Sequence, residues 1–265
     1  GDVPLVRAQT LQKLLNAVNE QQMALLTVEL PDPTGYGRIL RDANQRITAI
    51  VEQKDANAAQ LKIREVNTGI LAAPAKLLKQ WLPQLSANNA QGEYYLTDII
   101  GLAVQQGINV EAQQPQSPQE VQGVNNRLQL SELERHHQKT IAEQLMTDGV
   151  TLADPARIDV RGKLKPGRDV FIDINCVFEG DVTLGDNVSI GPNCVIKDAH
   201  IAANVEIKSH SNIDGAKIAE SAVVGPFARL RPGTELAAHS HIGNFVETKK
   251  TFVGAGSKVN HLTYV

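Results

Sequence analysis

No stretch of this sequence stays apolar for the ~18 residues that a membrane-spanning helix needs. No basic segment followed by an apolar one opens it, so secretion is not expected and the cytoplasm is the default compartment. Charge of one sign is also missing. Lys and Arg total 26 against 29 Asp and Glu, a net charge of −3. That balance gives no electrostatic reason to expect nucleic acid or an anionic membrane as partner. Cysteine is scarce: Cys176 and Cys194 are the only two, and they could pair in principle. A phosphate-binding glycine loop is lacking as well. Such a loop needs a first strand leading into a Gly-rich turn whose backbone N–H groups cradle phosphates. Only Gly35-Tyr-Gly37 and Gly254-Ala-Gly256 have the Gly-x-Gly form, the first in an expected hairpin loop, the second inside a repeat.

What is present is a period of six. Large apolar residues recur at Ile172, Phe178, Leu184, Ile190 and Ile196. After a one-residue slip they continue at Ile201, Ile207 and Ile213, and after a second at Ile218, Val224, Leu230, Leu236 and Ile242. A break at Thr248 precedes Val253 and Val259. Four residues past most anchors stands a small or β-branched residue, as at Cys176, Val188, Cys194, Ala222, Thr234 and Ser240. This is the pattern of a parallel β-helix of hexapeptide repeats, three short strands to a coil of ~18 residues. Coils stack at the ~4.8 Å spacing of paired strands, and Gly or Asn turns the corners where positive φ is needed. Both cysteines fall in the small inward slot, so buried packing thiols are the plain reading and a disulfide the alternative. Thr151–Gly167, before the strict repeat, is expected to form an irregular first coil.

The first 150 residues read as α/β. Leu5 to Val18 has helical spacing, and Met23–Leu30 is a buried-strand run. Arg38–Leu40 and Ile47–Glu52 form a hairpin-like pair. Val66–Ala72 is a strand followed by a helix through Leu77, Leu78 and Trp81. Tyr95–Val104 is helical, Ile108–Ala112 a short strand and Ser117–Val121 a loop. Arg127–Met146 is a long polar helix. With 42% apolar residues, the 265-residue chain can hold one large or two ordinary domains. The expected division is an α/β domain over 1–126, a linker helix over 127–150 and a β-helix over 151–265. The chain opens on Gly-Asp-Val-Pro and closes on His-Leu-Thr-Tyr-Val, and both ends read as cuts through folded units.

Several segments together resemble one family. They are Gly1-Asp-Val-Pro4, Asp32-Pro-Thr-Gly-Tyr-Gly-Arg38, Ile50-Val-Glu52, Glu65-Val-Asn-Thr-Gly69, Gly92-Glu-Tyr-Tyr-Leu-Thr-Asp98 and Gly123-Val-Asn-Asn-Arg127. In the repeat half they are Gly225-Pro-Phe-Ala-Arg-Leu-Arg-Pro-Gly233, Gly243-Asn-Phe-Val-Glu247 with Lys249-Lys250, and His261-Leu-Thr-Tyr264. In this order they resemble the bacterial bifunctional N-acetylglucosamine-1-phosphate uridyltransferases/glucosamine-1-phosphate acetyltransferases, over essentially the whole chain. The resemblance implies the later part of a Rossmann-like nucleotidyltransferase domain, then part of a left-handed parallel β-helix. It implies synthesis of UDP-N-acetylglucosamine, a precursor of peptidoglycan and lipopolysaccharide. It also implies an assembly into trimers, with the acetyltransferase site between protomers. Members of the family carry a Gly-rich nucleotide loop before Asp2 and more coils after Val265. The chain is therefore expected to be a largely inactive portion that does not turn over UTP.

The same resemblance assigns residues. Uridyl transfer brings two anions together, which calls for Mg²⁺ and positive side chains. Asp2 and Asn125 match the metal ligands, with Asn125 also touching substrate. The plain alternatives are a turn residue at Asp2 and a helix cap at Asn125. Gly37, Glu52 and Asn67 match positions that hold the N-acetylglucosamine moiety through a backbone N–H, a carboxylate and a carboxamide. Without the resemblance they read as a turn glycine, a strand-end acid and a turn Asn. Thr68 and Tyr94 are further candidates for that pocket. For acetyl transfer from acetyl-CoA, His261 matches the catalytic base, and its ordinary pKa of ~6.5 suits that role. Arg231, Lys249 and Tyr264 match the sugar-phosphate site, where a guanidinium fork and an ammonium would hold phosphate. On spacing alone these are surface residues.

Competing readings are another sugar-nucleotide pyrophosphorylase with a β-helix tail, a non-catalytic trimeric scaffold, and a γ-type carbonic anhydrase binding Zn²⁺ through His200, His210, His239 or His241. The last leaves the α/β half without a place.

Overall fold

The computed structural model describes residues 2–265; Gly1, which opens the first motif, lies outside the described residues. The chain forms two compact units that divide inside one long helix, Gly1–Leu133 and Glu134–Val265.

The first unit is built on a five-stranded sheet. Its strands are β1 (Gln22–Glu29), β2 (Arg38–Arg41), β3 (Ile47–Val51), β4 (Glu65–Ala72) and β5 (Asn109–Gln113), in the order β3-β2-β4-β1-β5. β1 pairs antiparallel with β4 and parallel with β5. Met23 to Val28 are buried throughout, as expected for a strand covered on both faces. Alternation sorts its side chains. Met23 and Leu25 join Trp81, Ile99 and Ile100 in one core, while Ala24, Leu26 and Val28 join Leu14, Val66 and Val121 in another. Three helices flank the sheet: α1 (Ala8–Asn16), α2 (Ala75–Trp81) and α3 (Ile99–Gln105).

Two elements differ from the sequence expectation. The first helix starts at Ala8 rather than near Leu5: Arg7 is extended, with φ −90° and ψ 142°, and its N–H is taken by Glu120 Oε1 at 3.1 Å. The segment expected as a loop at 117–121 contains a 3-10 turn, Pro118–Val121. Glu120, only 2% exposed, shapes it by also accepting the Gln116 N–H at 3.0 Å.

The second unit is a parallel β-helix preceded by the rest of α4 (Arg127–Thr147). The first coil is more regular than expected. β6 (Thr151–Leu152) and β7 (Ile158–Pro166) pair in parallel register with β8 (Phe171–Ile172) and β9 (Cys176–Leu184) of the next coil. At Gly162 β7 runs straight through for nine residues, and β9 does the same beside it at Gly180. Every anchor from Ile172 to Ile242 is buried, as are the small residues beside them. At about 1.5–3 kcal/mol for each fully buried aliphatic side chain, this column holds the coils together. Cys176 and Cys194 are free and buried. Burial pushes their thiols up to about 12 and about 11.

The anchor column does not break at Thr248. Thr248 is fully buried, pairs with Leu230 of the preceding coil, and its hydroxyl lies 3.0 Å from that of Thr234. Two threonines facing one another satisfy the polar atoms that an apolar anchor would have avoided. Asn and Gly turn corners at positive φ as expected, as at Asn175, Asn193, Gly215 and Gly233, and His210, Phe227, Phe245 and Leu262 do so too. Of the glycines that follow anchors, Gly225 shares positive φ, whereas Gly185 is set by close approach: a Cβ there would stand 2.5 Å from the Ala203 backbone nitrogen of the next coil.

Candidate functional site

In the first unit a bulge assembles the candidate sugar pocket. Between β1 and β4 the register jumps from Leu25↔Leu71 to Thr27↔Asn67, so Thr68–Ile70 stands opposite Leu26 alone. Bulges re-aim side chains next to sites. Here Asn67 Oδ1 accepts the Gly69 N–H at 3.0 Å, and Thr68 Oγ1 donates to the Leu26 carbonyl at 2.8 Å. The bulge is thus locked by its own side chains, and the Asn67 NH₂ remains to donate outward.

Gly37 begins the hairpin beside it, and its carbonyl accepts the Asn67 N–H at 2.9 Å. A Cβ on Gly37 would meet Ile50 Cγ2 at 2.9 Å and the two Glu52 carboxylate oxygens at 3.2 and 3.3 Å. Gly37, Glu52 and Asn67 therefore share one spot. Glu52 is held there by Thr97 Oγ1, which donates to Oε1 at 2.9 Å. Sequence reasoning did not single out Thr97, although it stands within the Gly92–Asp98 motif. Nearby, burial and then the charge of Asp55 raise the Asp98 carboxyl above its ordinary value.

Asp2 and Asn125 are also neighbours. The Val124 N–H donates to the Asp2 carbonyl at 2.9 Å. Asn125 is not the cap of α4. That role falls to Asn126, whose Oδ1 accepts the Gln129 N–H at 2.9 Å, while Gln129 Oε1 accepts the Asn125 N–H at 2.8 Å. Asn125 itself is exposed, one residue on from the backbone that bonds Asp2. A carboxylate with a carboxamide is an all-oxygen donor pair, which fits a Mg²⁺ ion that keeps much of its water and phosphate shell. Among the described residues no group of three or more His, Cys, Asp or Glu is gathered as a metal site. Between the two clusters in sequence lie the walls of a cavity of about 200 Å³, which include Asp32, Tyr36, Thr68 and Gln122. Thr68 lines this cavity; Tyr94 is not among its lining residues and is 72% exposed.

In the second unit, Arg231 and Lys249 stand one coil apart. The Arg231 N–H bonds the Thr248 carbonyl at 3.0 Å and the Lys249 N–H the Val265 carbonyl at 2.9 Å. Arg231 Nη1 is 3.1 Å from Glu247 Oε1, which Arg229 also approaches at 3.8 Å. Glu247 is bridged in turn to Tyr264 in the next coil. Arg231 is thus ion-paired to Glu247, Lys249 follows two residues later in the chain, and Tyr264 lies across from Glu247 in the next coil. In the sequence Glu247 ends the Gly243–Glu247 motif, with no local signal of this pairing.

His261 is placed elsewhere. It pairs with Asn244 on the neighbouring face, just before the corner at Leu262. From Asn244 the chain turns the corner at Phe245 before it reaches Glu247 and Lys249. A single chain thus sets the histidine and the two cations on different faces. The corner beside His261 carries a stack of aromatic rings. His210 lies on Phe227 at 4.7 Å and Phe227 on Phe245 at 5.2 Å.

Residues 161–265 match the family described as the GMPPB C-terminal domain. The bifunctional protein GlmU of Marinobacter nauticus is 63% identical over all 265 residues, which make up 58% of that protein. Those of Pseudomonas entomophila and Burkholderia multivorans are 59% and 57% identical, with the same coverage. This is a GlmU-like chain. It spans 58% of the length of the curated GlmU relatives it matches. The fold is accordingly a mixed α/β sheet unit, a long helix and a parallel β-helix. Among solved structures, the acetyltransferase domain of PglB from Neisseria gonorrhoeae covers 58% of the chain and 67% of its own, at 16% identity and a TM-score of 0.35. A perosamine N-acetyltransferase from Caulobacter crescentus covers 60% and 80%, at 14% and 0.31. At these scores the likeness carries no argument about function. No described helix of the GlmU-like chain is long and apolar enough to cross a membrane.

Proposed function

We propose that this chain is the sugar-phosphate-handling portion of a transferase that makes UDP-N-acetylglucosamine in the bacterial cytoplasm, for peptidoglycan and lipopolysaccharide. The observation that carries the reading is 57–63% identity to bifunctional GlmU proteins along the entire chain. The juxtaposition of Gly37, Glu52 and Asn67 supports it.

In uridyl transfer, the phosphate of N-acetylglucosamine 1-phosphate attacks the α-phosphorus of UTP and pyrophosphate leaves. The Gly37 backbone N–H and the Asn67 carboxamide donate to the sugar, and Glu52 accepts from its hydroxyls. Thr97 keeps Glu52 in place, so the sugar meets a preset carboxylate. Asp2 and Asn125 would hold Mg²⁺, which neutralises the approaching phosphates when bound.

In acetyl transfer, the amine of glucosamine 1-phosphate attacks the thioester of acetyl-CoA. His261 removes the proton that the attacking nitrogen sheds. Arg231 grips the sugar phosphate through its fork, Lys249 adds a point charge, and Tyr264 borders the sugar. The likeness to GlmU proteins implies a trimer with this site between protomers, and the placement of His261 on a different face from Arg231 and Lys249 is compatible with that.

The test is thiol release from acetyl-CoA with glucosamine 1-phosphate, with serine and with no acceptor. Any release should depend on the sugar phosphate; release driven by serine instead would overturn the reading.

A further inference from the structure

Arg38 opens β2 and is 2% exposed. A buried guanidinium is ordinarily paired with a carboxylate, because an uncompensated buried charge costs several kcal/mol. The Arg38 side chain donates instead to two neutral acceptors, the Tyr36 carbonyl and Gln53 Oε1, the latter at 3.1 Å. Its Nε has no hydrogen-bond partner among the described residues. Replacing a buried charge by an apolar side chain of similar volume is often neutral or stabilising, so stability alone is a weak reason for a guanidinium here.

Its geometry offers another explanation. Gln53 Oε1 also accepts the Gly35 N–H at 2.6 Å. One carboxamide oxygen thus gathers the guanidinium and the Gly35 backbone, and the guanidinium ties down the Tyr36 carbonyl. Two successive residues are clamped immediately before Gly37, where Gly35 takes φ +91°. Gln53 is the chain neighbour of Glu52. A single linkage, rooted in the buried Arg38, therefore sets both walls of the sugar spot, the Gly37 backbone on one side and the Glu52 carboxylate on the other.

We propose that Arg38 is a positioning residue, acting with Gln53 to fix the Gly35–Gly37 backbone and Glu52 in the geometry that receives an N-acetylated sugar phosphate. Arg38 is sealed from solvent and does not touch the ligand. The proposal rests on the reading of Gly37, Glu52 and Asn67 as the sugar site. It specifies what selects the acetamido sugar: a loop held rigid from beneath.

The test uses Arg38→Met, Arg38→Lys, Gln53→Leu and the Arg38→Met/Gln53→Leu pair in the full chain. Each is titrated with N-acetylglucosamine 1-phosphate and with glucose 1-phosphate, alongside thermal unfolding and amide exchange at residues 35–37. Each single change is expected to weaken N-acetylglucosamine 1-phosphate binding at least tenfold and to narrow the preference over glucose 1-phosphate. The pair should be no worse than the weaker single, since both break one linkage. Lysine keeps the charge but not the fork, so it should not rescue. A folded Arg38→Met that loses only thermal stability, with affinity and preference intact, overturns the proposal. Should Arg38→Met not fold, Gln53→Leu, altered from the half-exposed side, decides on the same readings. Glu52→Gln separates the two ideas: unchanged binding there defeats the sugar-site reading itself. Amide exchange still decides the clamp in that case, because unaltered exchange at Gly35–Gly37 in both variants defeats it.

Discussion

The carboxamide of Gln138 hydrogen-bonds both backbone groups of Val160: Oε1 accepts the N–H at 2.8 Å and Nε2 donates to the carbonyl at 3.0 Å. Val160 lies on β7 in the first coil, whose other edge is paired with β9. An open strand edge is a template for unwanted pairing. One helical side chain here stands in for the missing strand, and Glu134 Oε1 steadies it at 2.9 Å.

Gln138 and Val160 are 4% and 5% exposed, so the pairing cannot be replaced by water without opening the site. Gln138→Leu fills the same space and leaves a donor and an acceptor buried without partners. The expected loss is about 2–6 kcal/mol, from about 1–3 kcal/mol for each of the two orphaned groups. Urea unfolding should show a lower midpoint, and the Val160 amide should exchange faster with solvent.

The two cysteines give a prediction about pH. Their thiols are raised to about 12 and about 11, chiefly by burial, so roughly one in a thousand or fewer is ionised at pH 8. A thiol reagent at pH 8 should label neither until the second unit unfolds. The unfolded thiols ionise near pH 9, before the folded ones. Stability from this source is therefore whole below pH 9 and falls as pH rises toward 11–12. Cys176→Ala/Cys194→Ala should lessen that alkaline loss, read as the change in unfolding midpoint between pH 8 and pH 10.5.

The β-helix was legible because its period is written in residues that all face inward, from Ile172 to Ile242. Thr248 misled because a polar residue in an anchor slot reads as a break; only the hydroxyl of Thr234 across the coil shows how it is satisfied. Asn125 and Asn126 illustrate a finer limit. Either can cap a helix, and which one does so depends on one residue of phase. The Gln138–Val160 pairing joins residues 22 apart through a helix and a strand edge, a link that carries no local signal. Arg38 is similar, since a charged residue at the start of a strand reads as exposed. The sugar-pocket residues were picked by resemblance to a family, and the bulge that aims Asn67 followed only from the strand register.

Gly37 offers a steric test of that pocket. An alanine Cβ there would press on Ile50 Cγ2 at 2.9 Å and crowd both oxygens of Glu52. Gly37→Ala should push the carboxylate aside while leaving the fold intact. Binding of N-acetylglucosamine 1-phosphate should weaken at least tenfold by calorimetry, with a change in unfolding temperature of a few degrees at most.

The central claim is that Glu52, held by Thr97 over Gly37, receives a sugar phosphate. Calorimetric titration of N-acetylglucosamine 1-phosphate into the unaltered chain and into Glu52→Gln tests it most directly. Glutamine keeps the shape and removes the charge-assisted acceptor, worth about 1.5–3 kcal/mol, or roughly 10- to 150-fold in affinity. Saturable binding that weakens by that factor in the variant is the predicted result. Equal affinity in the two chains would contradict it.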